Sequence, residues 1–272
     1  FISCKFLNDA EYVNSHNLVF ATARGVVKKT SLAEYARVLA KGKKAIILRD
    51  DDRLVGVELT DGNSEVLLAN RAGRAIRFRE DKIRQMGRVS TGVRGMTLDG
   101  PDDEIIGLIT LADDTEDTIL VLSANGIGKR SRLEDYRVTN RGGKGVKTIN
   151  ITEKTGALVA FKSVNDETDL IIINQSGITI RIRVADIPVR GRATMGVKII
   201  DVAKRNDTIA SVTCVETDPE EEVEALDEEV TLVEEGSVTD DMSESDIVDD
   251  EELEELENID DDIITGDDMA DE

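Results

Sequence analysis

The last 57 residues of the chain, 216–272, contain no lysine and no arginine. That segment holds 29 of the 57 acidic residues, so residues 1–215 hold 28 acidic residues against all 34 basic ones. The formal charge of −23 is therefore the sum of a basic body and a strongly acidic tail. The body favours a polyanionic partner, and the tail itself resembles a polyanion.

Aromatic residues, histidine and cysteine are scarce, and each shortage excludes a class of site. His16 is the only histidine, which excludes a multi-histidine metal site. Cys4 and Cys214 are far apart and fit no metal or disulfide framework, so we expect a reducing compartment. No apolar run is long enough to cross a bilayer, and we expect no membrane partner. The tail has too little apolar surface to offset the ordering of its backbone and is predicted to be disordered.

Two glycine markers recur through the body with one period. A turn glycine follows a strand-like apolar run at Gly25, Gly73, Gly126 and Gly177, with spacings of 48, 53 and 51 residues. A second glycine recurs at Gly42, Gly92, Gly145 and Gly196, with spacings of 50, 53 and 51. Such a shared period predicts four repeats in one domain of residues 1–215, near 18–60, 61–110, 111–163 and 164–215.

Each repeat is predicted to contribute four β-strands. In the unit after Gly42 we place them at Lys43–Leu48, Arg53–Leu59, Glu65–Asn70 and Arg74–Arg79. The third strand of a unit is almost continuously apolar, as expected when both faces are covered, and the fourth alternates, as expected for one buried face. Repeats of about fifty residues with four strands favour an all-β propeller or β-pinwheel with four-stranded blades, here incomplete, followed by the acidic tail.

Basic residues recur at fixed offsets from the two glycines. The residue four positions after the first glycine is basic in every repeat, and the residue six positions after it is basic in three of the four. The residue two positions after the second glycine is basic in all four repeats, and the residue four positions before it is basic in three. Radial repetition places equivalent positions on one rim, where a basic band can follow a phosphate backbone. For any single residue, the alternative is an ordinary solvated surface charge. The candidate DNA-binding residues are these columns with Lys144: Lys29, Lys44, Arg77, Arg79, Arg88, Arg94, Arg130, Arg132, Arg141, Lys144, Lys147, Arg181, Arg183, Arg192 and Lys198.

Several stretches resemble the C-terminal domain of the DNA gyrase A subunit, GyrA. They are Phe20–Thr30, Met86-Gly87-Arg88 with Thr91–Gly95, Asn125–Arg130, and Gly191-Arg192 with Gly196-Val197. The similarity runs in order from Leu18 to Val215. The family's seven-residue box, Gln-Arg-Arg-Gly-Gly-Lys-Gly, is matched at five of seven positions by the box-like stretch Thr139-Asn140-Arg141-Gly142-Gly143-Lys144-Gly145. Because the family carries its box in the first blade, we expect the true box upstream of Phe1, in a longer protein.

The resemblance implies a six-bladed β-pinwheel that wraps duplex DNA, of which this chain would be the last four blades and the tail. It also implies a cytoplasmic enzyme on the bacterial chromosome, an ATP-dependent type II topoisomerase that negatively supercoils DNA. Its partners would be the gyrase B protein, GyrB, together with a second GyrA, in an A2B2 heterotetramer. ATP, Mg²⁺ and the catalytic tyrosine would belong to other parts of that enzyme, with no catalytic residue, metal or cofactor in this chain.

Other functions stay open at this point. One is the equivalent domain of the related topoisomerase IV, and another is a propeller scaffold whose acidic tail recruits a basic partner. A third, an enzyme with its site in a propeller channel, lacks a catalytic constellation: Glu34-Tyr35 and Asp135-Tyr136 occupy equivalent positions, which favours packing or phosphate contact over nucleophilic attack. Scarce aromatic residues argue against stacking on single strands, so backbone contact with bending of a duplex is expected.

The acidic tail is expected to compete with DNA for the basic body. Its 29 acids are tethered where the body ends, so their effective concentration near the body is high. Deleting residues 216–272 should therefore tighten DNA binding at low salt, with the difference closing as salt rises and screens the attraction. DNA affinity measured across a salt series checks this, and an affinity unchanged by the deletion at every salt concentration would leave the tail only a role in solubility.

Overall fold

A computed structural model describes residues 9–37, 42–112, 115–202 and 207–216. The predicted acidic tail, from 217 onward, and Cys4 lie outside the described residues. Among those described, no helix is long and apolar enough to cross a membrane. The α-helix α1 (Ala10–Ser15) is capped by the Asp9 side chain, which accepts hydrogen bonds from the backbone N–H groups of Glu11 and Tyr12.

The described strands form four antiparallel sheets, or blades, and three of them include a short strand borrowed from a following repeat. Blade 1 contains β1 (Asn17–Thr22), β2 (Val26–Ser31), β3 (Leu54–Thr60) and β6 (Val93–Arg94). Blade 2 contains β4 (Glu65–Asn70), β5 (Arg74–Arg79), β7 (Ile105–Leu111) and β10 (Val146–Lys147). Blade 3 contains β8 (Thr118–Ser123), β9 (Ile127–Arg132), β11 (Leu158–Val164) and β14 (Val197–Lys198). Blade 4 contains β12 (Thr168–Asn174), β13 (Thr179–Arg183) and β15 (Ile209–Glu216).

The all-β prediction with repeated blades is confirmed, and the bounds predicted for β4 and β5 match the structure. The strand predicted at Lys43–Leu48 is wrong, because residues 42–49 form no strand. Its counterparts in the later repeats are two-residue strands that pair with the blade before their own. A strand this short follows from pairing with a distant segment, so its own sequence carries little signal.

Three apolar clusters lie between neighbouring sheets and join the blades. Between blades 1 and 2, for example, Val19 and Val27 of one sheet pack with Leu68, Ile76 and Leu108 of the next. All six residues of β4 are buried, as predicted for a strand covered on both faces. The predicted alternation of the fourth strand appears in β13, but β2 and β9 are buried on both faces, so most of their lysines and arginines are buried with them.

Four 3-10 turns follow β2, β5, β9 and β13. They span Leu32–Tyr35, Glu80–Lys82, Leu133–Asp135 and Val184–Asp186. After the last three of these turns, the backbone reaches the second glycine and continues as the borrowed strand. Along this path the N–H groups of Gly95, Thr148 and Ile199 donate to the carbonyls of Gly25, Gly73 and Gly126 at 2.7–2.8 Å. Both glycine markers therefore lie where one repeat crosses the backbone of another.

The second glycine is required by this crossing. A Cβ on Gly145 would lie 2.3 Å from the Ala75 carbonyl oxygen, and one on Gly196 would lie 2.6 Å from that of Gly128. By contrast, Gly177 in blade 4 has a φ of +85° with nothing within 4 Å of the added atom.

Gly145→Ala should destabilise the protein much more than Gly177→Ala. Both positions have positive φ, so each alanine costs about 1–2 kcal/mol of backbone strain. Only Gly145→Ala adds a collision with backbone, which should cost at least about 2 kcal/mol more. Urea unfolding of the two variants measures the difference. Equal losses would show that the crossing tolerates a side chain and that φ alone explains the glycine.

Candidate nucleic-acid interface

The basic residue four positions after the first glycine lies between blades rather than on a solvent rim. In blade 2 the Arg77 Nε donates to Glu65 Oε2 at 2.6 Å, and its Nη1 donates to the Leu133 and Tyr136 carbonyls at 2.7 and 3.0 Å. Both carbonyls belong to the 3-10 turn region of the following repeat. The Arg77 side chain is 14% exposed and that of Glu65 is 5% exposed.

The same contact recurs in blades 1 and 3. Lys29 Nζ donates to the Glu80 carbonyl at 3.2 Å and lies 3.5 Å from Glu80 Oε1. Arg130 Nε donates to the Ile187 carbonyl at 2.8 Å, and its Nη1 pairs with Asp166. We call Lys29, Arg77 and Arg130 the interblade latch. Because they are largely buried and paired with protein groups, they offer little charge to an external phosphate, and we leave them out of the proposed interface.

Arg181, the fourth member of that column, differs because no described blade follows it. Its Nε donates to Asp169 at 2.7 Å, and its side chain is 40% exposed. The residues two positions further along the strand, Arg79, Arg132 and Arg183, are exposed at the ends of β5, β9 and β13. Arg183 pairs with Asp186 at 3.1 Å. These three stay candidates for a peripheral contact.

The other two basic columns meet at the surface. Arg88 Nη1 donates to the Lys44 carbonyl at 2.5 Å, Arg141 Nη1 to the Arg94 carbonyl at 2.8 Å, and Arg192 Nη1 to the Lys147 carbonyl at 2.9 Å. Each bond joins the arginine before a second glycine to the basic residue after the second glycine of the preceding repeat. We call these three bonds the arginine ladder.

The ladder brings together basic residues from all four repeats. Lys44, Arg94, Lys147 and Lys198 are exposed or partly exposed, and Arg88, Arg141 and Arg192 lie beside them in the ladder. Lys144 is 66% exposed, 3.9 Å from Asp99, and Lys198 is 62% exposed, 3.7 Å from Asp201. These columns stay candidates for a shared DNA-binding surface. We call this set the rim band: Lys44, Arg88, Arg94, Arg141, Lys144, Lys147, Arg192 and Lys198.

The glycines of the box-like stretch, Thr139–Gly145, serve the contact between repeats. The Gly142 N–H donates to the Gly95 carbonyl at 2.6 Å, and its own carbonyl accepts from Thr97 Oγ1 at 2.7 Å. Arg141 also donates from Nε to the Lys82 carbonyl at 2.8 Å. The stretch is thus a connector between blades that holds Arg141 and Lys144 at the rim.

The tyrosines at equivalent positions are packing residues in this structure. Tyr136 is fully buried, and its hydroxyl shares a hydrogen bond with Thr148 Oγ1 at 2.5 Å. Burial raises the pKa of Tyr136 to about 12 and also raises the pKa of Tyr35. A phenol held protonated in this way is a poor nucleophile. Within the described residues no group of three or more His, Cys, Asp or Glu side chains could hold a metal ion.

Sequence reasoning missed two buried lysines beneath the ladder. Lys28 and Lys129 are fully buried, three positions after the first glycine of blades 1 and 3. Burial lowers the pKa of Lys28 to about 8, with Arg88 adding to the shift, and lowers the pKa of Lys129 to about 7, with Arg192 adding. The signal in the sequence was the alternation at this offset: Lys28, Ile76, Lys129 and Ile180.

Comparison with known proteins identifies the family of this chain. The model of the DNA gyrase C-terminal domain, a β-propeller, matches residues 16–61, 64–112, 117–165 and 168–216. The chain belongs to that family. It is 43% identical over 220 residues to the DNA gyrase A protein of Staphylococcus aureus strain MRSA252, covering 81% of this chain and 24% of the relative. Identity to the strain COL protein is 42% over 218 residues, covering 80% and 24%. The chain thus spans about a quarter of the length of these relatives.

Solved structures of related C-terminal domains share the fold. A crystal structure of the C-terminal domain of DNA topoisomerase IV matches with a TM-score of 0.70 at 27% identity, over 79% of this chain and 67% of that one. A structure of a DNA gyrase A C-terminal domain matches with a TM-score of 0.65 at 22% identity, over 74% and 66%. The second likeness, at such low identity, shows the fold alone.

Arg77→Ala should destabilise this gyrase C-terminal domain, whereas Arg132→Ala should not. Removing Arg77 leaves the Glu65 carboxylate, 5% exposed, without its guanidinium partner, and breaking a buried pair costs about 3–5 kcal/mol. Arg132 is exposed, and a surface substitution stays within about 0.5 kcal/mol. Thermal and urea unfolding test both variants. A small loss at Arg77, similar to that at Arg132, would contradict the latch.

Proposed function

We propose that this chain binds duplex DNA along the rim band and bends it around the blades, as the DNA-wrapping part of a GyrA protein. The observation that supports the proposal most is the arginine ladder, because it links basic residues of successive repeats. Phosphates that follow such a series are neutralised one after another, and the released counterions drive binding. Residues 1–215 would be the binding body and 216–272 an acidic tail.

The chemistry of the rim band favours backbone contact over base reading. A guanidinium has five N–H donors, and the ladder bond occupies one of them in Arg88 and Arg192. The remaining donors suit phosphate oxygens, which carry no sequence information. The described α1 has six residues, too few to read a major groove, and the scarcity of aromatic side chains disfavours stacking on single strands.

Neutralisation on one side also favours bending. If the blades repeat radially, the rim band follows a curve, and DNA that keeps contact with it must curve with it. Bending a duplex costs roughly 1–6 kcal/mol, which the additional phosphate contacts must offset. Wrapping of this kind would support the supercoiling reaction of gyrase without any catalytic group in the chain.

The remainder of the enzyme is part of the same proposal. We place the chain in an ATP-dependent, Mg²⁺-using type II topoisomerase, with GyrB and a second GyrA as partners in A2B2, acting on the chromosome in the cytoplasm. The relatives named as gyrase A proteins, at 43% identity, favour this over topoisomerase IV. The backbone likeness to topoisomerase IV at a TM-score of 0.70 keeps that enzyme as the second candidate.

The proposal predicts strongly salt-dependent binding to duplexes of any sequence. If six to ten phosphates are neutralised, affinity should fall about 10³–10⁵-fold between roughly 50 and 200 mM salt. Lys147→Ala, on the rim band, should lower the slope of log affinity against log salt by about one. Lys162→Ala removes an exposed lysine on β11 and should leave the slope unchanged. Filter binding or anisotropy over a salt series measures both, and equal effects from the two substitutions would remove the rim band from the interface.

A further inference from the structure

Two lysine side chains lie beneath loops of the rim band, and both bond to the backbone of those loops. Lys28 Nζ donates to the carbonyls of Arg88 and Ala45 at 2.5 Å. Lys129 Nζ donates to the Gly191 carbonyl and to Thr194 Oγ1, the second at 3.0 Å. The loops concerned are Gly87–Gly92, which carries Arg88, and Gly191–Gly196, which carries Arg192. Each lysine thus holds the loop of a following repeat from the inside.

The charged and titratable neighbours of the two lysines are equivalent as well. Glu34 acts on Lys28 and Asp135 acts on Lys129, each favouring the charged form, while Arg88 and Arg192 oppose it. Next to the acidic residue stands a tyrosine in each case, and the Tyr35 hydroxyl donates to the same Ala45 carbonyl as Lys28, at 3.3 Å. Two blades therefore contain the same arrangement of lysine, acid, tyrosine and arginine.

Blade 2 provides an internal comparison because it lacks this arrangement. Ile76 stands at the lysine position and is 2% exposed, and Ile83 stands at the tyrosine position. The loop above it, Asn140–Gly145, is held instead by Thr97, whose N–H and Oγ1 donate to the Gly143 and Gly142 carbonyls at 2.9 and 2.7 Å. The fold therefore accommodates an apolar residue at this position, and the lysines are not required to close a blade.

The stability of the fold does not explain why these two buried positions carry an ammonium group. Burying a charge costs several kcal/mol, and well-packed apolar replacements of buried charges are often neutral or stabilising. The bonds formed by Lys28 and Lys129 are made to loops whose arginines form the ladder. What the charge provides is a fixed loop and a positive potential close to Arg88 and Arg192.

We propose that Lys28 and Lys129 are positioning residues of the DNA interface, which hold two loops of the rim band and take up protons when DNA binds. The inference rests on the proposed function, since it assigns the phosphates of DNA to the rim band. Neither lysine needs to touch a phosphate. Their effect passes through the carbonyls that they hold and through the charge that they place near the two arginines.

The proton uptake follows from the sign of the electrostatics. The pKa values of about 8 for Lys28 and about 7 for Lys129 mean that both lysines lose protons as pH rises through this range. Phosphates at Arg88 and Arg192 favour the ammonium, so DNA binding raises both pKa values, and affinity falls as pH rises. A rise of about one pKa unit on binding corresponds to at most about a tenfold change in affinity per lysine. The raised pKa values of Tyr35 and Tyr136 keep both phenols neutral here.

The test measures the affinity of the full chain for a mixed-sequence duplex at about pH 6.5 and about pH 8.5, at one low salt concentration. The variants are the double substitution Lys28→Met with Lys129→Met, the single Lys129→Arg, and Ile76→Met as the matched control in blade 2. His16 is retained in every protein, so the proteins compared differ only at the substituted positions. Thermal unfolding at both pH values shows which variants are folded.

Wild-type protein and Ile76→Met should lose affinity several-fold from the lower to the higher pH. The double methionine variant should bind more weakly than wild type at the lower pH and show little further loss. Lys129→Arg, which stays charged, should lose less affinity at the higher pH than wild type does.

A folded double methionine variant with the wild-type pH profile would overturn the inference. If that variant does not fold, a pH-independent affinity of the wild type overturns it, and Lys129→Arg with the full wild-type loss does so too. Failure of the wild type to bind DNA at either pH would instead overturn the proposed function.

Discussion

The backbone crossing between successive repeats is the constraint on which the structure depends. After the second glycine of a repeat, the chain pairs with a strand of the blade before its own, as β6 pairs with β2. N–H groups such as that of Gly95 donate to the carbonyl of the first glycine of that blade. A carbonyl oxygen 2.3 Å from the Cβ position of Gly145 leaves no room for a side chain. Because blades 1 to 3 are each completed by a borrowed strand, neighbouring repeats cannot separate without losing strand pairing.

The crossing also explains why some basic residues join neighbouring blades while others lie at the surface. The 3-10 turn that leads into it presents carbonyls to the preceding blade, and a long cation such as Arg77 can satisfy them there. The return from the crossing exposes the carbonyl of Arg94, to which Arg141 donates at the surface. One set of cations therefore binds blade to blade, and the other is left at the edge, where a polyanion can reach it.

Residues close together in the sequence were sufficient to predict the hairpins. The turn glycine Gly73 between two strand-like runs specified both β4 and β5, because a hairpin is defined by neighbours in sequence. The strand at Lys43–Leu48 failed, since its counterparts exist only through pairing with another repeat. Periodicity also showed which positions are equivalent but not which way they face, so the column containing Arg77 could not be told from the column containing Lys147.

Some of that missing information was present at positions where the first and third repeats carry one type of residue and the second and fourth carry another. The two repeats with a lysine at this position, Lys28 and Lys129, also carry the tyrosines Tyr35 and Tyr136, whereas the repeat with Ile76 carries Ile83. Reading such linked positions together predicts a polar site buried in alternate blades. The partners of the buried lysines could not be predicted, because most of them are backbone carbonyls, which leave no mark in a sequence.

Lysine footprinting by mass spectrometry tests the central claim, that duplex DNA follows the rim band, most directly. The account predicts that DNA protects Lys44, Lys144, Lys147 and Lys198 from an amine-reactive reagent. The exposed side chains of Lys154 and Lys162, which lie off the band, should react equally with and without DNA. Protection of Lys154 and Lys162 with unchanged labelling of the rim-band lysines would contradict the account and place the DNA elsewhere on the blades.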